Sequence, residues 1–308
     1  MRTVQNFYRR KSMSESMEDF ARISGLNEAE AQTLRRIAAD RAVMAKASEI
    51  AENFFIAPRK GWSPDMPEGP ALSEAWFGAA WLSQESSHER YRALGIPEPV
   101  WLESMSDLKI WLRNERRNSG TIGLGPRSRL WQVEIYRGQV TRHGRLECNS
   151  EFFYSGAPLD DENGRNILNP GDPVINLHIP EDGPLDLDAC GVSMRRIAEF
   201  FASWKPGYDW KGFLCQSWLL DRQLRPMLPA DSNILKFQDL GRRYRMHETE
   251  DTIFRIFGYA DPQSLPAPNT FQRGAAEFIR RGGKFIEEGM FIPRRTVEAA
   301  DFRLREMV

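Results

Sequence analysis

A strand–helix–strand pattern over residues 174–238 constrains the fold of this chain more than any other feature. Val174–Ile179 form a short apolar run rich in β-branched residues, which is typical of a buried strand. Asp186 is a suitable N-cap for the helix that follows, and Lys-Pro-Gly at 205–207 stops that helix. Phe213–Leu220 is apolar again and predicts a second buried strand. The pattern predicts a right-handed βαβ unit with two parallel strands.

The predicted crossover helix has one apolar face, which we expect to pack on the sheet. Its members recur at helical spacing and are Cys190, Met194, Ile197, Ala198 and Phe201. Glu199 lies on the opposite face and is expected to meet solvent.

The first third of the chain has helical periodicity. Apolar residues spaced three and four apart predict amphipathic helices after Asn27, over 76–94 and from Pro99. The turn-rich sequence SGTIGLGP follows Asn118 and separates this region from a mixture of strands and helices. We therefore predict a helical domain over 1–116 and a second, sheet-containing domain over 117–308.

Alternation and turn residues predict the remaining elements of the second domain. The predicted elements are strands over Leu130–Val140 and Gly144–Tyr154, a surface loop over 157–173, a final hairpin over Arg242–Phe257, and a helix over Thr270–Arg281 that Asn269 caps.

The composition excludes several classes of protein. Forty-two basic residues balance 43 acidic ones, so no overall field favours nucleic acid. The three cysteines lack CxxC spacing, which argues against a disulfide scaffold. No run of about 18 apolar residues predicts a membrane helix, and the N-terminus lacks the apolar core of a secretion signal. We expect a cytoplasmic protein without a metal, because HExxH, Walker and cysteine–histidine patterns are also missing.

Three segments carry a resemblance to a known family. LHIPEDGPLD, CQSWLLD and LPADSNILKFQ resemble a bacterial family of acyltransferase-domain proteins, and the resemblance extends more weakly over most of the chain. Members join an N-acyltransferase N-terminal domain, which is helical, to a C-terminal domain similar to the GNAT N-acyltransferases. The resemblance implies an α+β fold in which the helical domain packs on a GNAT-like mixed sheet with flanking helices. It also implies acyl-CoA or acetyl-CoA as cosubstrate and a small-molecule amine as acceptor.

The resemblance implies where the donor binds. The pantetheine arm of the donor is expected between the strands at 174–179 and 213–220, with the pyrophosphate near the start of the crossover helix. The residues expected to contact the donor are Ile179, Cys190, Ser193, Arg195 and Arg196. The turn before the helix has one glycine and several carboxylates, which oppose a pyrophosphate; they are Glu181, Asp182, Asp186 and Asp188.

Four residues are candidates for catalysis, and each has a structural alternative. His178 is a candidate general base, or else a core histidine held by a hydrogen bond. Cys215 is a candidate nucleophile and Ser217 shares its strand face, but small buried residues are common in strands. Glu134, like Glu147, is a candidate base on a predicted strand, or else a solvent-facing residue.

Two functional hypotheses follow. In the first, the protein is an N-acyltransferase that moves an acyl group to an amine by direct attack in a ternary complex. In the second, it is a catalytically inactive GNAT-like module that senses a small molecule or binds another protein. The acidic turn favours the second hypothesis, whereas His178, Cys215 and Ser217 beside one cleft favour the first. Binding of a CoA thioester discriminates between them, and the sequence makes no prediction about oligomeric state.

Overall fold

The computed structural model describes residues 12–56, 66–154 and 156–299, which form an α+β structure as predicted. The chain divides into two compact units that interleave along the sequence. The first comprises 1–92 and 105–137, and the second comprises 93–104 and 138–308. The domain boundary between 116 and 117 stays a prediction.

Helices and strands occur in the following order. The helices are α1 (Met13–Ser24), α2 (Glu28–Ala39), α3 (Arg41–Asn53), α4 (Pro70–Leu82), α5 (Gln84–Ala93), α6 (Glu98–Met105), α7 (Leu108–Ser119), α8 (Arg129–Tyr136), α9 (Leu187–Trp204), α10 (Asn233–Gln238), α11 (Asp251–Phe257), α12 (Thr270–Arg280) and α13 (Arg294–Glu298). The strands are β1 (Thr141–His143), β2 (Leu146–Phe152), β3 (Leu159–Asp160), β4 (Asn166–Leu168), β5 (Pro173–His178), β6 (Gly212–Ser217), β7 (Arg242–Glu248) and β8 (Ile286–Pro293).

The first unit is helical, as the sequence predicts, and aromatic residues form part of its core. Asn27 begins α2 with a capping box, because its side chain accepts from the amide of Glu30 while the Glu30 carboxylate accepts from the amide of Asn27. The ring of Phe54 lies 5.8 Å from that of Trp76 and 5.3 Å from that of Tyr136. Such tilted and edge-on contacts are the favoured geometries of buried rings.

The prediction of a strand over Leu130–Val140 is wrong, because Arg129–Tyr136 form helix α8. Every residue from Gln132 to Tyr136 is buried. A helix buried on all sides loses the 3.6-residue periodicity by which an amphipathic helix is recognised. Glu134 therefore lies on a helix, and it is 7% exposed rather than solvent-facing.

The second unit contains a six-stranded mixed sheet in the order β1-β2-β5-β6-β8-β7. β5 and β6 are parallel and α9 connects them, which confirms the predicted βαβ unit. Asp186 caps α9 by accepting from the amide of Ala189 at 2.8 Å. The apolar face predicted for α9 is also confirmed, since Cys190, Met194 and Phe201 are at most 2% exposed.

Three predictions about the second unit need correction. The loop at 157–173 contains a small two-stranded sheet, β3–β4. Arg242–Phe257 is a strand followed by helix α11 and not a hairpin. The partner of β7 is β8, a strand that the sequence does not predict because acidic residues and a glycine interrupt its apolar run. The last two errors arise because pairing with distant strands overrides local propensity.

The sheet has two chemically different faces. Register places Cys148, Leu177, Cys215 and Met290 on one face, which is the face that α9 covers. On the other face, one end is apolar and packs under the β3–β4 hairpin through Val174, Leu214, Phe291, Phe153, Leu159 and Leu168. The remaining end carries polar side chains, which we call the polar face: Glu147, Asn149, Asn176, His178, Gln216 and Tyr244.

Candidate active site

The pairing of the two parallel strands ends where the family resemblance places the donor. The pairing of β5 with β6 ends at Leu177 opposite Cys215, although β5 continues to His178 and β6 to Ser217. The pairing therefore ends before the last residues of both strands. A gap between parallel strands offers amide and carbonyl groups to an extended ligand, as an exposed strand edge does.

His178 lies at this gap, on the polar face. Its Nε2 is 2.7 Å from Oδ1 of Asn149, and its strand register places it opposite Glu147. Asn176 follows on the same face; the residue is 8% exposed, and its Oδ1 lacks a hydrogen-bond partner among the described residues. A buried carbonyl oxygen without a partner is costly, so this oxygen marks a position where a ligand N–H would be favourable.

Tyr244, on the edge strand β7, contacts Gln216 of β6 on the polar face. Its ring lies across Gly289, where a Cβ would approach the ring to 2.1 Å, so the ring could not keep this position beside a larger residue. Gln216 Nε2 donates to the Tyr244 hydroxyl at 3.2 Å, which leaves the hydroxyl proton available to a third group. Burial raises the pKa of Tyr244 to about 12, so the hydroxyl is protonated at neutral pH.

Cys215 and Ser217 do not lie beside His178. Register pairs Cys215 with Leu177, so the Cys215 side chain points to the α9 face. Ser217, two residues further along β6, points to the same face. His178 follows Leu177 and therefore points to the polar face. Burial raises the pKa of the Cys215 thiol to about 12, which argues against a thiolate nucleophile. Ser217 accepts from the amide of Leu219 at 3.2 Å and begins a 3-10 turn.

The residues predicted to contact the donor are partly engaged within the protein. Ser193 Oγ donates to Ala189 O and accepts from the amide of Arg145, each at 2.9 Å. Arg196 donates to Glu103 at 2.6 Å. Cys190 is fully buried under the sheet. Ile179 and Arg195 are half-buried, and Ile179 directly follows β5 at the gap.

The acidic turn is not a patch of free negative charge. Arg142 and Arg145, from the β1–β2 hairpin, both contact the Asp182 carboxylate. Arg145 also donates to the backbone carbonyls of Pro180 and Gly183, at 3.0 Å each. The expectation that Asp182 repels an anion therefore needs correction, because its charge is neutralised by two arginines. Glu181 is exposed, and its effect on a bound anion stays a prediction.

Sequence reasoning misses Asn149, Gln216 and Tyr244 on the polar face. A sequence pattern that could have identified them is a polar residue at alternate positions of a strand that is otherwise buried. Gln216 and Asn149 do stand in such strands, but β7, which carries Tyr244, falls within the segment predicted as a hairpin. These side chains meet because their strands are neighbours in the sheet. The local sequence does not specify which strands are neighbours.

Two family models match the chain, and together they span most of its length. Residues 4–138 match the N-acyltransferase N-terminal domain, and residues 140–291 match the GNAT-like C-terminal domain. The chain belongs to this two-domain acyltransferase family. The family predicted from the sequence is therefore confirmed. The comparison with curated proteins found no match.

Solved structures of acyltransferases are similar to this acyltransferase-family chain in fold. One, a variant in complex with octanoyl-CoA, has a TM-score of 0.70 at 21% identity and covers 91% of this chain and 88% of its own. A second, in complex with decanoyl-CoA and teicoplanin, has a TM-score of 0.69 at 21% identity, with 91% and 88% covered. A third, in complex with CoA and 10C-teicoplanin, has a TM-score of 0.69 at 21% identity, with 90% and 87% covered. At this identity the likeness establishes the fold.

The described part of the chain lacks two features. No group of three or more His, Cys, Asp or Glu side chains there could hold a metal ion. None of the helices in the same ranges is long and apolar enough to cross a membrane.

Proposed function

We propose that this protein transfers an acyl group from an acyl-CoA donor to an amine by direct attack within a ternary complex. The observation that carries the proposal is the gap between β5 and β6 beyond Leu177 and Cys215, with His178 beside it on the polar face. Membership of the family and the CoA ligands of the similar structures support the same donor.

In the proposed complex, the pantetheine arm lies in this gap and its amides bond to the strand ends. The similar structures hold octanoyl- and decanoyl-CoA, which supports a medium acyl chain over an acetyl group. Of the residues predicted to contact the donor, Ile179 adjoins the gap. The similar structures that hold teicoplanin support an acceptor larger than a simple amine.

His178 is the proposed general base. It removes a proton from the acceptor nitrogen as the lone pair of that nitrogen attacks the thioester carbonyl. The tetrahedral intermediate then collapses, the C–S bond breaks, and the CoA thiolate takes the proton back from the His178 imidazolium. The buried thiols make an acyl-enzyme on Cys215 unfavourable, so direct attack is preferred.

The test combines binding and turnover. Calorimetry with CoA and octanoyl-CoA measures donor binding, and a panel of amines is assayed for CoA release and for acylated product by mass spectrometry. His178→Ala should retain donor binding while kcat falls by about 10²–10⁴, which is the usual contribution of a general base. His247→Gln, in an exposed histidine, is the matched control and should not change turnover.

Each outcome decides between the two functional hypotheses. Heat from CoA with acylated product supports the transferase. Absence of heat from both ligands, in protein shown to be folded by circular dichroism, refutes the proposal and favours the inactive module that senses a small molecule or binds a protein.

A further inference from the structure

We propose that the side chain of Asn176 binds the acceptor, with its Oδ1 accepting a hydrogen bond from an N–H of the attacking nitrogen. Asn176 is then a residue that helps to select the acceptor. The identity of the ligand rests on the proposed function, whereas the state of the Asn176 oxygen is a property of the unliganded protein.

Asn176 differs from the two other carboxamides of the polar face in what its side chain contacts. Asn149 Oδ1 lies 2.7 Å from Nε2 of His178, and Gln216 Nε2 donates to the Tyr244 hydroxyl at 3.2 Å. Asn176 is 8% exposed, and its Oδ1 has no hydrogen-bond partner among the described residues. A buried carbonyl oxygen in this state destabilises the unliganded protein, and a ligand that donates to it removes that penalty.

The position of Asn176 suits the attacking group. It stands in β5 two residues before His178, so the two side chains share the polar face and their Cα atoms are about 7 Å apart. The pairing of β5 with β6 includes Asn176 and ends one residue later, where the gap proposed for the donor begins. A nitrogen bonded to Asn176 therefore lies beside the proposed thioester position, within reach of a base on the same face directly or through one water.

The chemistry of the polar face favours the acceptor over the acyl chain of the donor as the ligand of Asn176. An octanoyl or decanoyl chain has no N–H to donate, and its burial there would leave the polar side chains unsatisfied. An amine supplies the missing donor. Because no partner holds the Asn176 oxygen, the amide turns toward a ligand without breaking a hydrogen bond at this atom.

The number of hydrogens on the acceptor nitrogen gives this contact a consequence. A neutral primary amine has two N–H groups and a lone pair. The lone pair forms the C–N bond, one proton goes to the base, and the C–S electron pair leaves with the CoA thiolate. The second N–H stays on nitrogen and bonds to Asn176. A secondary amine gives its one proton to the base, so the Asn176 oxygen stays without a partner during that attack.

The kinetic experiment compares primary amines with their N-methyl derivatives. Benzylamine, glycinamide and the best primary amine of the panel are assayed with octanoyl-CoA, each beside its N-methyl form. In Asn176→Leu, kcat/KM for the primary amines should fall about tenfold, the effect of losing one hydrogen bond, while KM for octanoyl-CoA stays unchanged. The ratio of primary to secondary kcat/KM should shrink by the same factor, because the secondary amines lose no bond.

Controls separate this contact from steric effects and from general damage. The bulk of the methyl group acts in both proteins and cancels in the comparison of ratios. Asn163→Ala, at an exposed turn, should leave every constant as in the wild type. Asn176→Ala repeats the comparison with a smaller side chain, which keeps the test valid where leucine does not fit.

Thermal unfolding without ligands tests the state of the oxygen. Asn176→Leu removes an oxygen without a partner, so its Tm should be at or above that of the wild type. Asn149→Leu removes an oxygen that is bonded to His178, so its Tm should fall. Equal losses of Tm in the two variants would show that the Asn176 oxygen is bonded in the native protein and would overturn the inference.

The inference and the proposed function fail in different ways. If the wild type acylates amines but Asn176→Leu and Asn176→Ala keep its primary-to-secondary ratio, the inference is overturned and the proposed function stands. If the wild type neither binds CoA nor acylates an amine, the proposed function is refuted, and the assignment of an acceptor to Asn176 is refuted with it.

Discussion

His143 should make the stability of this protein depend on pH in the mildly acidic range. The residue ends β1 and is 1% exposed, with its ring 4.7 Å from that of Phe200 and its Nε2 3.0 Å from Thr141 Oγ. Burial, reinforced by the charge of Arg196 and opposed by that of Glu103, lowers the pKa of His143 from 6.5 to about 4. The native state thus favours the neutral ring.

The sign and size follow from proton linkage. Between the two pKa values the unfolded chain binds a proton at this position and the native protein does not, so the free energy of unfolding falls as pH falls. The difference between a pKa of 6.5 and one of about 4 corresponds to about 3 kcal/mol in full. Of this, about 2 kcal/mol should be lost between about pH 7 and about pH 5.

The assay is urea unfolding followed by circular dichroism at both pH values, for the wild type and for His143→Leu. Leucine cannot titrate, so the variant should lose about 2 kcal/mol less than the wild type over this interval, whatever its stability at neutral pH. His247→Gln, in an exposed histidine, should follow the wild type within about 0.5 kcal/mol. Equal pH slopes in the wild type and His143→Leu would show that the native protein binds the proton and that the reasoning is wrong.

Three further predictions concern the core, the turn and the thiols. Phe201→Ala should destabilise by about 3–5 kcal/mol in urea unfolding because the ring is buried against the sheet, whereas Glu199→Ala on the exposed face should cost under about 0.5 kcal/mol; equal costs would mean that the helix face is wrong. Glu181→Gln should tighten CoA binding in calorimetry, with less effect at high salt, because it removes an exposed negative charge. Asp182→Asn should lower the free energy of unfolding by about 2–3 kcal/mol, because it leaves two part-buried arginines without their anion. The reverse pattern would contradict the turn geometry. Cys215, with its pKa raised to about 12 by burial, should not react with a thiol reagent at pH 8 until the protein unfolds, and fast labelling would disprove its burial.

The candidate site can be predicted only in part from the sequence. His178 is a candidate because its ordinary pKa near neutrality suits a general base, and the structure places it on a polar face. Cys215 and Ser217 share a strand face with each other, as predicted. The register of β5 against β6 separates them from His178, since a shift of one residue exchanges the two faces of a strand. Register depends on the partner strand, which the local sequence does not specify.

The sequence by itself determined the βαβ unit, because its strands, cap and apolar helix face are local patterns of hydrophobicity and hydrogen bonding. It also determined the family, through three sequence segments that resemble those of its members. Only the tertiary structure decided that β8 enters between β6 and β7, that Arg129–Tyr136 is a helix, and that Arg142 and Arg145 neutralise Asp182. These features depend on residues far apart in the chain, and their free energy comes from pairing and burial that exist only once the distant segments have met.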